Sequence, residues 1–324
     1  MKIFIMSRSK RKNTFTIAFY NVENLFDTVN NPLTADDDFT PMSKRNWNHQ
    51  KYLHKIKKLT SVVSQIGSNQ SAHPPIIVGL AEVENAKVVK DLIRHKNLSK
   101  YNYSYVHYDS PDERGIDVAF IYNKDFFEVI STNTHSLYLK DSEGEVDYTR
   151  DLLVVKGKLN GELVHVLVNH WPSRRDGDEE TSLKRIKAAK QAQEVIKNIK
   201  LKEKNAKFII MGDFNDNPIS ESVNNFLVTD DLYNPMKPLF KKGKGTSTFY
   251  KEWHLFDQII FSRDFFDSSK SRFTFVKADI LNKEWLRFYK GKFKNSPFRT
   301  YVGPWYQGGY SDHFPVYLTF EKEV

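Results

Sequence analysis

Seven short stretches combine residue types and spacings that could do chemistry. In Ile209-Ile210-Met211-Gly212-Asp213-Phe214-Asn215-Asp216 an apolar run ends in a glycine, then sets a carboxylate and a carboxamide two residues apart. Residues two apart in an extended chain share a face, so Asp213 and Asn215 can converge on one small object. A carboxylate beside an amide can activate a water and hold an oxyanion, although the same pair also suits an Asx-capped turn. Gly309-Tyr310-Ser311-Asp312-His313-Phe314-Pro315 places an acid next to an imidazole. Adjacent side chains on an extended backbone point apart, so each needs its own partner. Asp312 suits a metal. His313 suits a carboxylate, and Asp257, in Phe256-Asp257-Gln258-Ile259-Ile260-Phe261, is the best candidate. A carboxylate on one ring nitrogen fixes the tautomer and raises the basicity of the other.

Val168-Asn169-His170-Trp171-Pro172-Ser173-Arg174, with Arg175 behind it, reads as an anion-binding edge. There His170, as cation or donor, would stabilise negative charge on a transferring group. Trp171 could stack on a base, but an aromatic beside a strand is more often core, and core is the reading preferred here. Asn21, in Phe19-Tyr20-Asn21-Val22-Glu23-Asn24, and Glu82, in Leu80-Ala81-Glu82-Val83, each end a run that is otherwise apolar. An ionised Glu cannot be buried alone, so Glu82 needs either a cation such as Mg²⁺ or a salt bridge to Lys or Arg. Arg114, in Asp112-Glu113-Arg114-Gly115-Ile116-Asp117, suits a bidentate phosphate contact or an exposed turn; Asp117 is left out of the catalytic set.

The chain has 324 residues, a formal charge of +9 from 49 Lys+Arg against 40 Asp+Glu, and no cysteine. Without thiolates, any metal is held by oxygen or imidazole, which suits Mg²⁺, Mn²⁺ or Ca²⁺ better than structural zinc. The basic balance suits a polyanionic partner such as nucleic acid or an anionic headgroup, and equally a plain soluble surface. No apolar run approaches a membrane span, and Ile3-Phe4-Ile5-Met6 is too short for a signal segment. The expectation is a soluble monomer, cytoplasmic by default.

The elements that must position these residues are buried strands and amphipathic helices. Strands are expected over 15–20, 76–80, 118–122, 129–131, 152–156, 163–168, 208–211, 256–261 and 316–320, most of them ending where a polar cluster begins. Helical spacing predicts one helix over 51–66, with Leu53 on its inner face and Gly67 as its C-cap. Others are expected to begin at Val88 and to run over 182–201 with Leu183 inward. Residues 30–47 and 282–307 read as loops, the latter dense in aromatics and bases. Residues 1–13 read as a flexible basic lead-in and 14–324 as one catalytic domain. The mixture predicts an α/β sandwich of two packed sheets flanked by helices.

In order and spacing, from Phe15 to Phe320, these residues resemble the endonuclease/exonuclease/phosphatase superfamily. The resemblance implies a four-layered α/β/β/α sandwich with its site at one end of the paired sheets. It implies that Asn21 contacts the metal or scissile phosphate, that Glu82 is the principal metal ligand, and that Asp312 stands near the metal. His170 would stabilise the phosphate, Asp213 and Asn215 would activate water and position the phosphate, and Arg114 would contact it more weakly. His313, oriented by Asp257, would be the general acid/base or transition-state stabiliser. The implied activity is Mg²⁺-dependent in-line hydrolysis of a phosphodiester, with DNA or RNA as the leading substrate. The alternative is a phosphatase or phosphodiesterase acting on a phosphorylated lipid or small phosphoester.

Overall fold

The structure, a computed structural model, describes residues 13–140, 143–174, 177–249 and 252–322. The proposed basic lead-in therefore lies outside the described residues except for Asn13, as does Arg175. Twelve strands build two six-stranded sheets. They are β1 (Thr14–Leu25), β2 (Ile77–Val83), β3 (Tyr103–His107), β4 (Asp117–Asn123), β5 (Phe127–His135), β6 (Leu152–Leu159), β7 (Glu162–His170), β8 (Phe208–Asp213), β9 (Leu232–Tyr233), β10 (Asp257–Ser262), β11 (Phe273–Ile280) and β12 (Val316–Lys322). The first sheet has the order β11-β12-β1-β2-β4-β3 and the second β9-β10-β8-β7-β6-β5.

Each sheet contains one parallel pair, β1 with β2 and β7 with β8, among antiparallel neighbours. The parallel strands end together, and their neighbours β12, β4 and β10 begin at that same edge. One rim of each sheet therefore collects both outgoing and incoming ends. Period-two alternation then sorts the side chains. In β8, Ile209 and Met211 pack between the sheets, whereas Phe208 and Ile210 join the outer cluster. Gly79 of β2 leaves room for this packing, since a Cβ there would lie 2.5 Å from the Met211 sulfur. By the same alternation Asp213, His170 (in step with Val164, Val166 and Val168) and Asp257 (in step with Ile259 and Phe261) face the first sheet.

Helices cover the outer faces. Helix α1 (His49–Val63) and helix α2 (Ala86–Arg94) pack on the first sheet through Ile56, Leu59, Val63, Val88 and Leu92. Helix α3 (Asp178–Lys202) covers the second through Ala188, Ala189, Ala192, Val195 and Ile196. The result is the four-layered α/β/β/α sandwich. Two helix expectations need correction. Helix α1 stops at Val63 with Ser64 as its C-cap, and Gly67 sits beyond it at φ +67° in a following turn. Leu53 and Leu183 are exposed, because the buried stripes run through their neighbours instead. Among the described residues no helix is long and apolar enough to cross a membrane.

Candidate active site

The rims of the two sheets meet where Asn21 Nδ2 donates to Asp213 Oδ2 at 3.0 Å. Register places Asp213 directly beside both His170 on β7 and Asp257 on β10. Two carboxylates facing one another on adjacent strands would repel. The chain answers by inserting His313 from the segment before β12. His313 Nδ1 lies 2.6 Å from Asp257 Oδ2, and His313 Nε2 lies 3.9 Å from Asp213 Oδ2. Ser311 orients that segment: its hydroxyl donates to the Asn21 carbonyl at 2.7 Å and accepts from the His313 amide at 3.0 Å. The expected pairing of Asp257 with His313 is the geometry found.

These contacts set the protonation states. Burial works against a charge on His313, but the carboxylates of Asp257 and Asp213 outweigh it and lift the imidazole well above its ordinary range. Burial pushes Asp213 up to about 6, with His313 acting in the opposite direction. His170 goes the other way. Complete burial, helped by Arg150, Arg114 and His313, holds it well below the usual imidazole range. Of the two roles expected for His170, neutral donor is therefore the one its surroundings favour. Its Nε2 lies 3.9 Å from Asp213, and its buried Nδ1 has no hydrogen-bond partner.

Glu82 stands slightly apart, at a bulge in β2 with φ +64°. Its Oε2 accepts from the Asn24 amide at 2.8 Å, and its Oε1 lies 3.6 Å from Arg114 Nη2, which also donates to Asn24 Oδ1 at 2.7 Å. The cation and the salt-bridge readings of Glu82 thus meet at one place, with Arg114 half-exposed beside it. Asp312 is held by Arg299 at 2.7 Å, and this guanidinium keeps its carboxyl below the usual range against the effect of burial. Asn215, at φ +49°, turns back: its amide donates to the Trp171 carbonyl at 3.0 Å, which leaves one N–H donor of that amide over.

On the β7 side one expectation is met and one changes. Trp171 is core, edge-on against Phe214 at 4.6 Å, with its indole N–H on Asn169 Oδ1. Arg174 does not form an open anion-binding edge, because its planar fork is matched to the Asn215 carbonyl at 2.8 Å and Asp216 Oδ1 at 2.6 Å. Sequence reasoning missed Glu23 and Arg299. Glu23 is buried, accepts from the Thr300 amide at 2.7 Å and from Arg299 Nε at 3.2 Å, and lies 3.7 Å from the buried Lys55. The signal was its place two residues after Asn21. At the bulged end of β1, residues 21, 23 and 24 each tie a different part of the rim.

For a metal, Asn21, Glu82 and Asp312 offer oxygen donors only, which fits a hard dication. Among the described residues, the rim's close group of His and acid ligand atoms, mutually within 4.8 Å, is Asp213, Asp257 and His313; Glu82 and Asp312 are not in it. Asp257 Oδ1 is buried without a hydrogen-bond partner, so the rim retains an unsatisfied oxygen facing a potential cation or donor.

The sequence profile of the Endonuclease/Exonuclease/phosphatase family matches residues 16–322, and the chain belongs to that family of metal-dependent phosphoester hydrolases. No protein in the curated set matches it in sequence. Among solved structures it is similar to D. rerio TDP2 complexed with a single-strand DNA product, with 16% identity, TM-score 0.60, and coverage of 96% of this chain and 100% of that one. It is also similar to an endonuclease/exonuclease/phosphatase family protein from Bacteroides thetaiotaomicron, with 19% identity, TM-score 0.58, and 96% of each chain covered. A mannosyl-6-phosphatase from the same bacterium has 19% identity and TM-score 0.57, over 94% of this chain and 99% of that one. At these identities the likeness is one of fold.

Proposed function

We propose that this chain is a Mg²⁺-dependent phosphodiesterase acting on DNA or RNA, with the rim residues as its hydrolytic site. One observation carries the substrate class. From Asp312 a cleft of ≈ 570 Å³ runs between Thr248, Phe249 and Trp253 on one side and Lys292, Phe293, Lys294 and Arg299 on the other. Aromatic faces interleaved with cations suit stacked bases on a phosphate backbone. The solved complex of a structurally similar protein with single-strand DNA agrees with this reading.

In this reading the chain's own groups divide the work. Asp213, its Oδ1 on the Asn215 amide and its Oδ2 on Asn21, orients and deprotonates the attacking water. His313, kept cationic by Asp257, faces developing negative charge and can return a proton to the leaving oxygen. His170 donates as a neutral imidazole, and the remaining Asn215 N–H and Arg114 hold phosphate oxygens. A dication on Glu82, Asn21 and Asp312, Mg²⁺ or in its place Mn²⁺, would polarise a phosphoryl oxygen.

A second reading has its own support. The opposite flank of the rim is acidic, since Asp37, Glu84, Asp109, Asp112 and Glu113 line a neighbouring cleft. A long polyanion could not cross that flank, whereas a small phosphoester, such as a sugar phosphate or a lipid headgroup, would not need to. The deciding experiment is a substrate panel of single-stranded DNA, RNA, sphingomyelin, an inositol phosphate and a hexose phosphate, with Mg²⁺ or Mn²⁺ and with chelator. Chelator-sensitive cleavage of DNA or RNA is expected. Turnover of a phosphomonoester or lipid with no nucleic acid cleaved would establish the second reading instead.

A further inference from the structure

We propose that His107, Asp109 and Asp117 form a second cation site, distinct from the hydrolytic row, that takes a transition-metal dication such as Zn²⁺ and clamps the loop carrying Arg114. His107 closes β3 and Asp117 opens β4, so the two residues stand at the two ends of one loop. The His107 side chain is only 2% exposed, and its Nε2 makes no hydrogen bond although Asp117 Oδ2 lies 3.3 Å away. Asp117 is itself buried, and its other oxygen is occupied by the Ser110 amide at 2.9 Å and the Ser110 hydroxyl at 2.5 Å. The free oxygen is thereby aimed at the ring, the support a metal-binding carboxylate needs. Asp109 Oδ1 lies 3.8 Å from His107 Nδ1, and one ligand atom from each of the three residues lies within 4.8 Å of the others.

Two ligands of a tetrahedral ion with bonds of about 2.0–2.1 Å sit roughly 3.4 Å apart. His107 Nε2 and Asp117 Oδ2 already hold that separation. Asp109 stands nearest the Nδ1 side of the ring, and its side chain, 87% exposed, is the group free to swing toward Nε2 and close the set. Among the described residues no Lys or Arg pairs with Asp109 or Asp117, so no protein cation occupies the place. One imidazole with two carboxylates favours Zn²⁺, Mn²⁺ or Co²⁺ over Mg²⁺. Asp109 and Asp117 also line the acidic cleft of ≈ 870 Å³, which offers a cation an approach. The loop between the ligands carries Arg114, on Asn24 and Glu82, and Asp112, which holds Arg150 at 3.0 Å. A metal at its base would fix both.

The test uses the Glu82→Gln/His313→Gln double variant, which lacks ligands of the hydrolytic rim. Titrated with Zn²⁺ by calorimetry, it is expected to bind one equivalent and to gain thermal stability. Adding Asp109→Ala, a change at an exposed side chain, is expected to weaken Zn²⁺ at least tenfold while leaving the Tm in chelator unchanged. Adding His107→Gln is expected to abolish both binding and the Tm gain. With Co²⁺ in place of Zn²⁺, the visible absorption of a four-coordinate ion should appear and disappear with the same substitutions. Absence of Zn²⁺ binding in the double variant, or binding that survives both further substitutions, overturns the proposal.

Discussion

At the scale of single residues, the site depends on keeping two histidines in opposite states a few ångströms apart. His313 owes its charge to Asp257, which is buried, contacts His313 with one oxygen and leaves the other unsatisfied. Asp257→Asn keeps the shape but replaces the acceptor that fixes the ring. Turnover of single-stranded DNA should fall by about 10²–10⁴, the range of a lost acid/base group, with the Tm little changed. Activity within a factor of three of the parent would remove Asp257 from the mechanism. His170 is the reverse case. Its folded value lies well below the usual imidazole range, through burial and then Arg150 and Arg114. The unfolded chain titrates near 6.5, so the stability linked to His170 is complete above that pH and is lost as pH falls below it, by about 1.4 kcal/mol per pH unit. His313, shifted upward, contributes with the opposite sign, its stability being complete below pH 6.5 and lost as pH rises above it, but this contribution is common to both proteins and cancels in their comparison. Between pH 7.5 and 5.5, His170→Asn should therefore lose less stability than the parent, by about 1 kcal/mol, in urea unfolding. Parallel losses in the two proteins would mean that His170 is not held neutral.

At the scale of elements, the rim exists because each sheet has one parallel pair whose ends meet the starts of antiparallel neighbours. Gly212 shows how close that packing is. A Cβ there would lie 2.5 Å from the Asn169 carbonyl oxygen on β7, a backbone atom that cannot swing aside. Gly79→Ala meets a sulfur of similar proximity, but at the end of the flexible Met211 side chain. Gly212→Ala should cost about 1–3 kcal/mol and displace Asp213, whereas Gly79→Ala should cost less and leave activity largely intact. Thermal melts and turnover of the two variants, compared side by side, check this; equal effects on both would count against it. Much of this level was legible in the sequence. Apolar runs ending in polar residues located the rim, and the pairing of Asp257 with His313 followed from the need of each side chain for a partner. Glu23, Arg299 and Lys55 were not legible, because their network forms between segments far apart in the chain, and only the turn of β1 at Glu23, at φ +52°, aims that carboxylate at them. Helix α1 was read three residues too long for a related reason: apolar Ile66 continued the helical spacing, but it is buried in the turn that follows Ser64.

At the scale of the molecule, the net charge of +9 alone says little about a substrate, because the two flanks of the rim differ in sign. Lys292, Lys294 and Arg299 line one side and Asp109, Asp112 and Glu113 the other. A single strand that binds on the basic flank neutralises phosphates there and releases counterions, so its affinity should fall with salt along a slope of about 0.7 per contact. Lys292→Ala/Lys294→Ala removes two such contacts without touching the hydrolytic row. The slope of log Kd against log salt for a short single-stranded oligonucleotide should then fall by roughly 1.4, while turnover of a small phosphodiester that does not reach the cleft stays unchanged. Charge reversal at Glu113 tests the other flank. Glu113→Lys, at an exposed position, should tighten oligonucleotide binding if the strand passes near the acidic side and leave it unchanged if the strand is confined to the aromatic cleft. A salt slope that does not respond to the paired lysine substitution would place the strand elsewhere, and the small-phosphoester reading of the site would then account better for a basic protein with so acidic a flank.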